Sequence, residues 1–436
     1  MKEKALIRAR EHPVLCIAAL AALVTIAFVP PDAAYLGYVD VKTLACLFGI
    51  LAVVGAMRNA GMLDAAALAL SSWLATRRAA VLSLTGATLA LSLFATNDMA
   101  LVVMLPLSAA ALLRARWDDL IPFTFVMQNL AANLGGMVLP FGNPQNLYLF
   151  ERFDIPLVDF LAVMALPFAL SVALIALCCV AFVREGGPGK AHGLQKHASG
   201  CESAQVKSGE DERGVGAWEA SASPGAKGVR GEDAGGERRE GAAGRLACGT
   251  AAARAVAPAV YVALLLLVVG SVLRLVLWWA SAAVVVGVLA VLDRKALRQV
   301  DWGLLLTFAC FFVFAGNMAR IPAVEGLLAQ GMEGSVLMVS AATSQVISNV
   351  PAAVLLSHFT GSWQALLVGV NVGGAGTLVA SLASLITFSH FRIVRKSFPT
   401  RPGLAACTTR RFVAIFSAFN YAFLAVLLAA SAILLG

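Results

Sequence analysis

Two polar clusters, Thr96-Asn97-Asp98 and Ser348-Asn349, interrupt long apolar runs, and each is followed by a second break: Gly142-Asn143-Pro144-Gln145-Asn146 after the first, Ala380-Ser381-Leu382-Ala383-Ser384 after the second. Asn and Ser are favoured N-caps and Pro suits a first helical turn. Asn97, Asn349 before Pro351, and Asn143 before Pro144 therefore each read as the start of a helix. A helix N-terminus offers unpaired N–H groups and a partial positive charge, which suits an anion, whereas unwound carbonyls and side-chain oxygens suit Na+. The candidate ligands are Thr96, Asn97, Asp98, Gly142, Asn143, Pro144, Gln145, Asn146, Ser348, Asn349 and Val350, with Thr377, Ser381 and Ser384 from the last interruption. Transient Na+ would sit at Asn97, Asp98, Asn143 and Asn349; no structural metal is expected. The competing reading is architectural, with these residues only capping kinked helices. It loses ground because the breaks recur at matched places, and every break inside a membrane must be satisfied by protein or by a water-lined cavity.

Asp98 is the acidic residue placed near mid-membrane, where a lone charge costs ~2.5 to 3.5 kcal/mol even on a lenient scale. Either it serves as an acid at a helix N-terminus, or it takes a proton or Na+. The second copy has Val350 at the matching place. A purely architectural need would apply to both copies, which favours the cation role. A negative Asp98 would repel an anion, so a cation should bind first.

Elements of membrane-spanning character must position these residues. Apolar runs lie at about 13 to 28, 41 to 57, 79 to 95, 99 to 113, 120 to 150 and 157 to 183, and resume at about 256 to 277, 280 to 292, 303 to 318, 334 to 347, 351 to 362, 364 to 388 and 412 to 435. The first reads as an uncleaved span rather than a signal peptide, with the N-terminus in the cytoplasm. From Arg184 to Arg245 there are ten basic and ten acidic residues amid Gly, Ala and Ser. Such a segment has too little apolar surface to offset its ordering entropy, so 184–254 reads as a disordered cytoplasmic linker between membrane halves 1–183 and 255–436.

The halves are related. Val39-Asp40 and Gly55 recur as Val300-Asp301 and Gly316 at an offset of 261; Thr96-Asn97-Asp98-Met99-Ala100 matches Ser348-Asn349-Val350-Pro351-Ala352 at 252; Asn133-Leu134-Gly135-Gly136 matches Asn371-Val372-Gly373-Gly374 at 238. Paired interruptions of this kind mark a repeat-built secondary transporter. Arg77-Arg78 before and Arg114 and Arg116 after the first polar tip place both flanks in the cytoplasm. This gives a re-entrant hairpin with its tip at 96–98, as against two ordinary short spans joined outside. The second hairpin, with its tip at 348–350, then enters from outside, the repeats are inverted, and the C-terminus ends outside. The broken helices run over 133–147 and 371–385. Gly135-Gly136 and Gly373-Gly374 read as helix-packing contacts rather than ligands.

Composition agrees with this layout. Of 436 residues 60% are hydrophobic and 13% charged, and the mean hydropathy is +0.82, against roughly 25% charged in soluble proteins. The net charge of +8 lies in short clusters between apolar runs, with no basic stripe and interleaved aromatics for nucleic acid. The eight cysteines lack Cys-x-x-Cys spacing and the five histidines are scattered, so neither a disulfide framework nor a zinc site is expected, and no cofactor is implied. A membrane enzyme would need a nucleophile and base, metal ligands or paired carboxylates, which one isolated acid does not supply. A channel is less consistent with paired hairpins of opposite entry.

At these motifs the sequence resembles the ion transporter superfamily, specifically bacterial permeases with a citrate-transporter-like domain, a group that takes in arsenite permeases and divalent anion:sodium symporters. The resemblance implies an all-α polytopic inner- or plasma-membrane protein of two inverted repeats, moving as an elevator against a scaffold that forms a homodimer. It also implies a small anionic substrate, a carboxylate or arsenite-like oxyanion, with Na+ or H+ as coupling ion. Dicarboxylate symporters carry Ser-Asn-Thr at both tips; this chain keeps Asn97 and Asn349 but has Asp98 and Val350 in place of the Thr. The Asn-Asp pair followed by Ala, and the Gly-Asn-Pro-Gln-Asn run, are closer to the arsenite permeases. The rival within the superfamily is a Na+/H+ antiporter exchanging at Asp98.

Overall fold

The computed structural model describes residues 13–70, 76–185 and 243–435, and most of the expected linker, 186–242, lies outside the described residues. The described chain is entirely helical. The first half contains α1 (Pro13–Phe28), α2 (Val41–Asn59), α3 (Met62–Leu70), α4 (Arg77–Phe94), α5 (Asn97–Arg114), α6 (Ile121–Gly135), α7 (Pro144–Arg152) and α8 (Leu157–Phe182). The second contains α9 (Ala243–Val272), α10 (Trp278–Leu292), α11 (Arg294–Gln299), α12 (Trp302–Met318), α13 (Pro322–Gly334), α14 (Val336–Ile347), α15 (Asn349–Leu356), α16 (Trp363–Val372), α17 (Leu382–Ser397), α18 (Pro402–Ala406) and α19 (Thr409–Leu435). Helix α9 begins inside the segment expected to be linker.

Among the described residues, α2, α5, α8 and α19 are each long and apolar enough to cross a bilayer alone. Most of α8 and α19 faces outward, with 28% of the apolar window buried in each, against 61% for α5 and 56% for α2. Exposed Val158, Leu177, Phe182, Leu266, Val291 and Ile433 form apolar surface on a scale that water does not tolerate but lipid does. The chain is a multi-pass membrane protein.

The related positions Asp40 and Asp301 do the same work. Asp40 Oδ1 accepts from Thr43 N–H (3.0 Å) to open α2, and Asp301 Oδ1 accepts from Leu304 N–H (2.9 Å) to open α12. The two glycines expected to match do not behave alike. A Cβ on Gly55 would meet open space, whereas Gly316 packs against the Tyr38 ring.

Two packing neighbourhoods emerge. Helix α2 packs on α9, α10 and α11, and α12 lies along α1; the other group holds α4 to α8 with α14 to α19. The groups touch mainly where α12 meets α15 and where α2 meets α7.

Polar links tie the helix ends on two opposite faces. On one face Arg77 pairs with Asp119, Arg78 donates to Glu185 (2.7 Å) and to the Val183 carbonyl (3.2 Å), and Gly403 N–H donates to Asp118 (2.7 Å). The start of α4, the turn after α5, the end of α8 and α18 thus share one face. On the other, Lys42 pairs with Glu151 (2.5 Å) and Arg274 with Asp154 (2.6 Å), while Arg320 pairs with Asp32 (2.6 Å). Helices α4 and α5 form a hairpin whose ends meet on the first face.

Candidate functional site

The chain reverses at Ala95-Thr96 and α5 begins at Asn97. The reversal in the second half is at Ser348, with α15 beginning at Asn349. Asn97 and Asn349 are thus the first helical residues, with Thr96 and Ser348 at the cap positions before them. Their side-chain oxygens each accept from the next N–H, Asp98 and Val350, both at 2.9 Å. Thr96 and Ser348, one residue earlier, leave helical geometry. Ser348 does so at φ 77°, ψ 158°, a region essentially reserved for Gly, and so carries strain of order 1–3 kcal/mol. Thr96, at φ −57°, ψ 152°, is unstrained.

Each tip is followed by a break between two helices. Helix α6 ends at Gly135, and α7 restarts at Pro144 behind Asn143; α16 ends at Val372, and α17 restarts at Leu382 behind Ser381. The first break is held by backbone proximity: a Cβ on Gly142 would collide with the Gly136 carbonyl oxygen. Asn146 Nδ2 closes the loop by donating to the Met137 (2.9 Å) and Leu139 (3.1 Å) carbonyls. In the second break Gln345, from α14, takes this role. Its Nε2 donates to the Gly373 carbonyl (2.7 Å), and its Oε1 accepts from Thr377 N–H (2.9 Å).

Asn133, at the end of α6, is the hub. Its Oδ1 accepts from Asn97 Nδ2 of the first tip (3.1 Å) and from Ser381 Oγ of the second break (2.7 Å); its carbonyl accepts from Asn143 Nδ2 (3.4 Å). The second tip joins next door, where Asn349 N–H (3.0 Å) and Ser348 Oγ (3.2 Å) donate to the Ala380 carbonyl. Asn371 makes the reciprocal contact. Its Oδ1 accepts from Asn143 Nδ2 (3.4 Å) and Gln145 Nε2 (3.1 Å), and its Nδ2 donates to Asn146 Oδ1 (2.6 Å). Asn133 with Ser381 and Asn371 with Asn143 are the same pair of aligned positions, exchanged between halves.

This geometry brings together Thr96, Asn97, Asn143, Gln145, Asn146, Ser348, Asn349 and Ser381 with the breaks at Gly142 and Pro144. Val350 takes part through its N–H alone. Thr377 is turned to α14, its Oγ1 donating to the Gln345 carbonyl (2.9 Å). Ser384 is fully buried, and its Oγ has no hydrogen-bond partner.

Four helices, α5, α7, α15 and α17, start at this cluster. Only Ser381 caps its own helix, accepting from Ala383 N–H (3.2 Å); Thr96, Asn143 and Ser348 make no side-chain cap bond. Asn143 stands at the expected cap position, but its amide is drawn to Asn133 and Asn371. The starts of α5 and α7 thus keep first-turn N–H groups available, whereas at α15 the Asn349 and Val350 N–H groups are both taken and Pro351 has none. Asp98 Oδ1, Asn133 Nδ2 and Asn143 Oδ1 are buried without partners, an expense that a bound ligand would offset. Asp98 is the one charged member; the rest are amides, hydroxyls and backbone dipoles.

Sequence reasoning missed Asn133, Asn371 and Gln345 as site residues. It also missed a polar layer alongside, where Gln128 Nε2 donates to Thr88 (2.9 Å) and Ser108 (2.7 Å), and Asn129 Oδ1 accepts from Thr387 (3.3 Å). The available signal was two adjacent amides inside an apolar run.

A family model described as citrate transporter matches residues 5–364, a stretch that includes both tips and the first break. An inner membrane protein of Escherichia coli K12 is 27% identical over 352 residues, covering 80% of this chain and 79% of that protein. An uncharacterized transporter of Methanocaldococcus jannaschii is 27% identical over 355 residues, 80% of each chain.

Proposed function

Because the chain belongs to the citrate transporter family, and is therefore a membrane transporter rather than an enzyme, we propose that it moves a small anion, a carboxylate or an arsenite-like oxyanion, in secondary active transport driven by Na+ or H+. The observation carrying this reading is the convergence of four half-helix starts on the Asn133 hub, two of which, α5 and α7, keep first-turn N–H groups open without a side-chain bond from the cap residue. Uncapped N-termini attract an anion, and the unpartnered Asp98 oxygen suits the cation that must precede it. In this reading the two halves are inverted repeats with re-entrant hairpins. The N-terminus and linker are cytoplasmic, and the group holding α4 to α8 and α14 to α19 slides against the other in a homodimer. Each tip reaches a helix break and not the opposite face, which supports hairpins that turn inside the membrane.

The test is ligand-induced thermal shift of purified protein with arsenite, citrate, succinate, sulfate and phosphate, with and without Na+ and across pH. Wild-type protein should be stabilised by one anion class, and more strongly with the coupling cation. Asp98→Asn should still fold and bind that anion with much of the ion dependence lost, while gradient-driven uptake into vesicles disappears. Normal uptake with unchanged ion dependence in Asp98→Asn would leave Asp98 a structural residue. Stabilisation by Na+ or protons with no anion effect would favour the antiporter.

A further inference from the structure

A pocket of about 500 Å³ opens at the far end of α17, lined by Arg392, Arg395, Lys396, Pro399, Ala405 and Thr409. The three cations stand at i, i+3 and i+4 on one helix and so share a face; the opposing wall comes from α18 and the first residue of α19. No carboxylate lines the pocket. Among the described residues none of the three cations is in an ion pair. Arg392 is steadied by the Phe388 ring, 5.8 Å from its guanidinium. Arg395 Nε is buried with no hydrogen-bond partner.

A bias of basic residues toward one membrane face accounts for three cations near this end of α17. It does not account for their convergence on a concavity, nor for a buried guanidinium N–H with no acceptor, an arrangement that is costly to leave unsatisfied. Phosphate oxygens match a guanidinium fork. Depth narrows the source further. Helix α17 starts in the central break, and at 1.5 Å per residue Arg392 and Lys396 stand about 15 and 21 Å along it. A hydrocarbon core of ~30 Å therefore ends at this pocket. We propose that it is a phosphate-binding site, seated at the level where it takes the headgroup of an anionic phospholipid, as basic pockets between membrane helices do. It is remote from the Asn133 hub, so the proposal stands apart from the choice of transported anion.

Native mass spectrometry of the full-length protein in neutral detergent tests it, with phosphatidylglycerol, phosphatidylcholine, inorganic phosphate and pyrophosphate each titrated alone. Phosphatidylglycerol should bind about tenfold more tightly than phosphatidylcholine, and Arg395→Gln and the double variant Arg392→Gln/Lys396→Gln should each lose about tenfold, the scale of one charge-assisted contact. Arg298→Gln, an exposed side chain on α11 outside the pocket, should bind as wild type. Preference for phosphatidylglycerol that the pocket variants remove assigns the lipid; pyrophosphate binding that they remove, without lipid preference, assigns a soluble phosphate. Equal retention of both lipids with no phosphate binding, or phosphatidylglycerol affinity unchanged in the variants, overturns the site. The double variant changes only exposed side chains, so it decides the matter if Arg395→Gln fails to elute as folded protein.

Discussion

Asn133 receives donors from three different elements, and that is why its loss should be felt twice. In Asn133→Ala the amide of Asn97 and the hydroxyl of Ser381 lose their acceptor in a buried setting, at about 1–3 kcal/mol for each group left unpaired. The melting temperature should fall and anion-induced stabilisation should vanish. A double-mutant cycle with Ser381→Ala should give a coupling of at least ~0.5 kcal/mol, as residues in one network do; strictly additive effects would show that the pair is not coupled. The polar tips Asn97 and Asn349 were legible in the sequence because an amide in the middle of an apolar run needs a reason. Asn133 was legible only as a repeat marker. Nothing local says that its partner is Ser381, 248 residues away, since that pairing is made by the packing of one half on the other.

At the scale of elements, helix starts were readable from residue types, and the breaks at Asn143 and Ser381 fall where Pro144 and the polar run put them. Which side chains actually cap was not, because the amide of Asn143 is claimed by Asn133 and Asn371 rather than by its own helix. The first break depends on the Gly136 and Gly142 backbones lying in contact. Gly142→Ala would force a methyl group into the Gly136 carbonyl and should lower stability by about 1–3 kcal/mol, the usual cost of overpacking. Gly55→Ala, on a helix with open space around it, should be neutral or stabilising by up to ~1 kcal/mol. Thermal melts of both variants in one detergent check the contrast; equal losses would mean that the break has room to spare. The hairpins are tested by accessibility. Single cysteines at Arg78 and Arg114, in a background free of reactive thiols, should be labelled from one side of the membrane only, and one at Glu333 from the other. Labelling of Arg78 and Arg114 from opposite sides would remove the first hairpin.

For the whole molecule, the all-helical membrane architecture was legible from composition and run length. The division into two packing neighbourhoods was not, because it depends on which helices share side chains across long separations. One seam between those neighbourhoods carries charge. Glu151 on α7, its side chain 3% exposed, lies 2.5 Å from Lys42 on α2 and 3.8 Å from Arg274 after α9, while Arg274 also holds Asp154. If one group slides past the other in each cycle, this cluster must come apart every time, and it then acts as friction on turnover. Glu151→Gln should lower the melting temperature, because it strips Lys42 and Arg274 of their buried partner, yet raise the rate of substrate exchange across vesicles at saturating anion. A slower exchange in that variant would mean that the seam stays shut while substrate crosses. The same contacts that hold the resting molecule together would then set its pace, so that stability and speed are adjusted against each other at the opposite end of the helix whose start belongs to the candidate site.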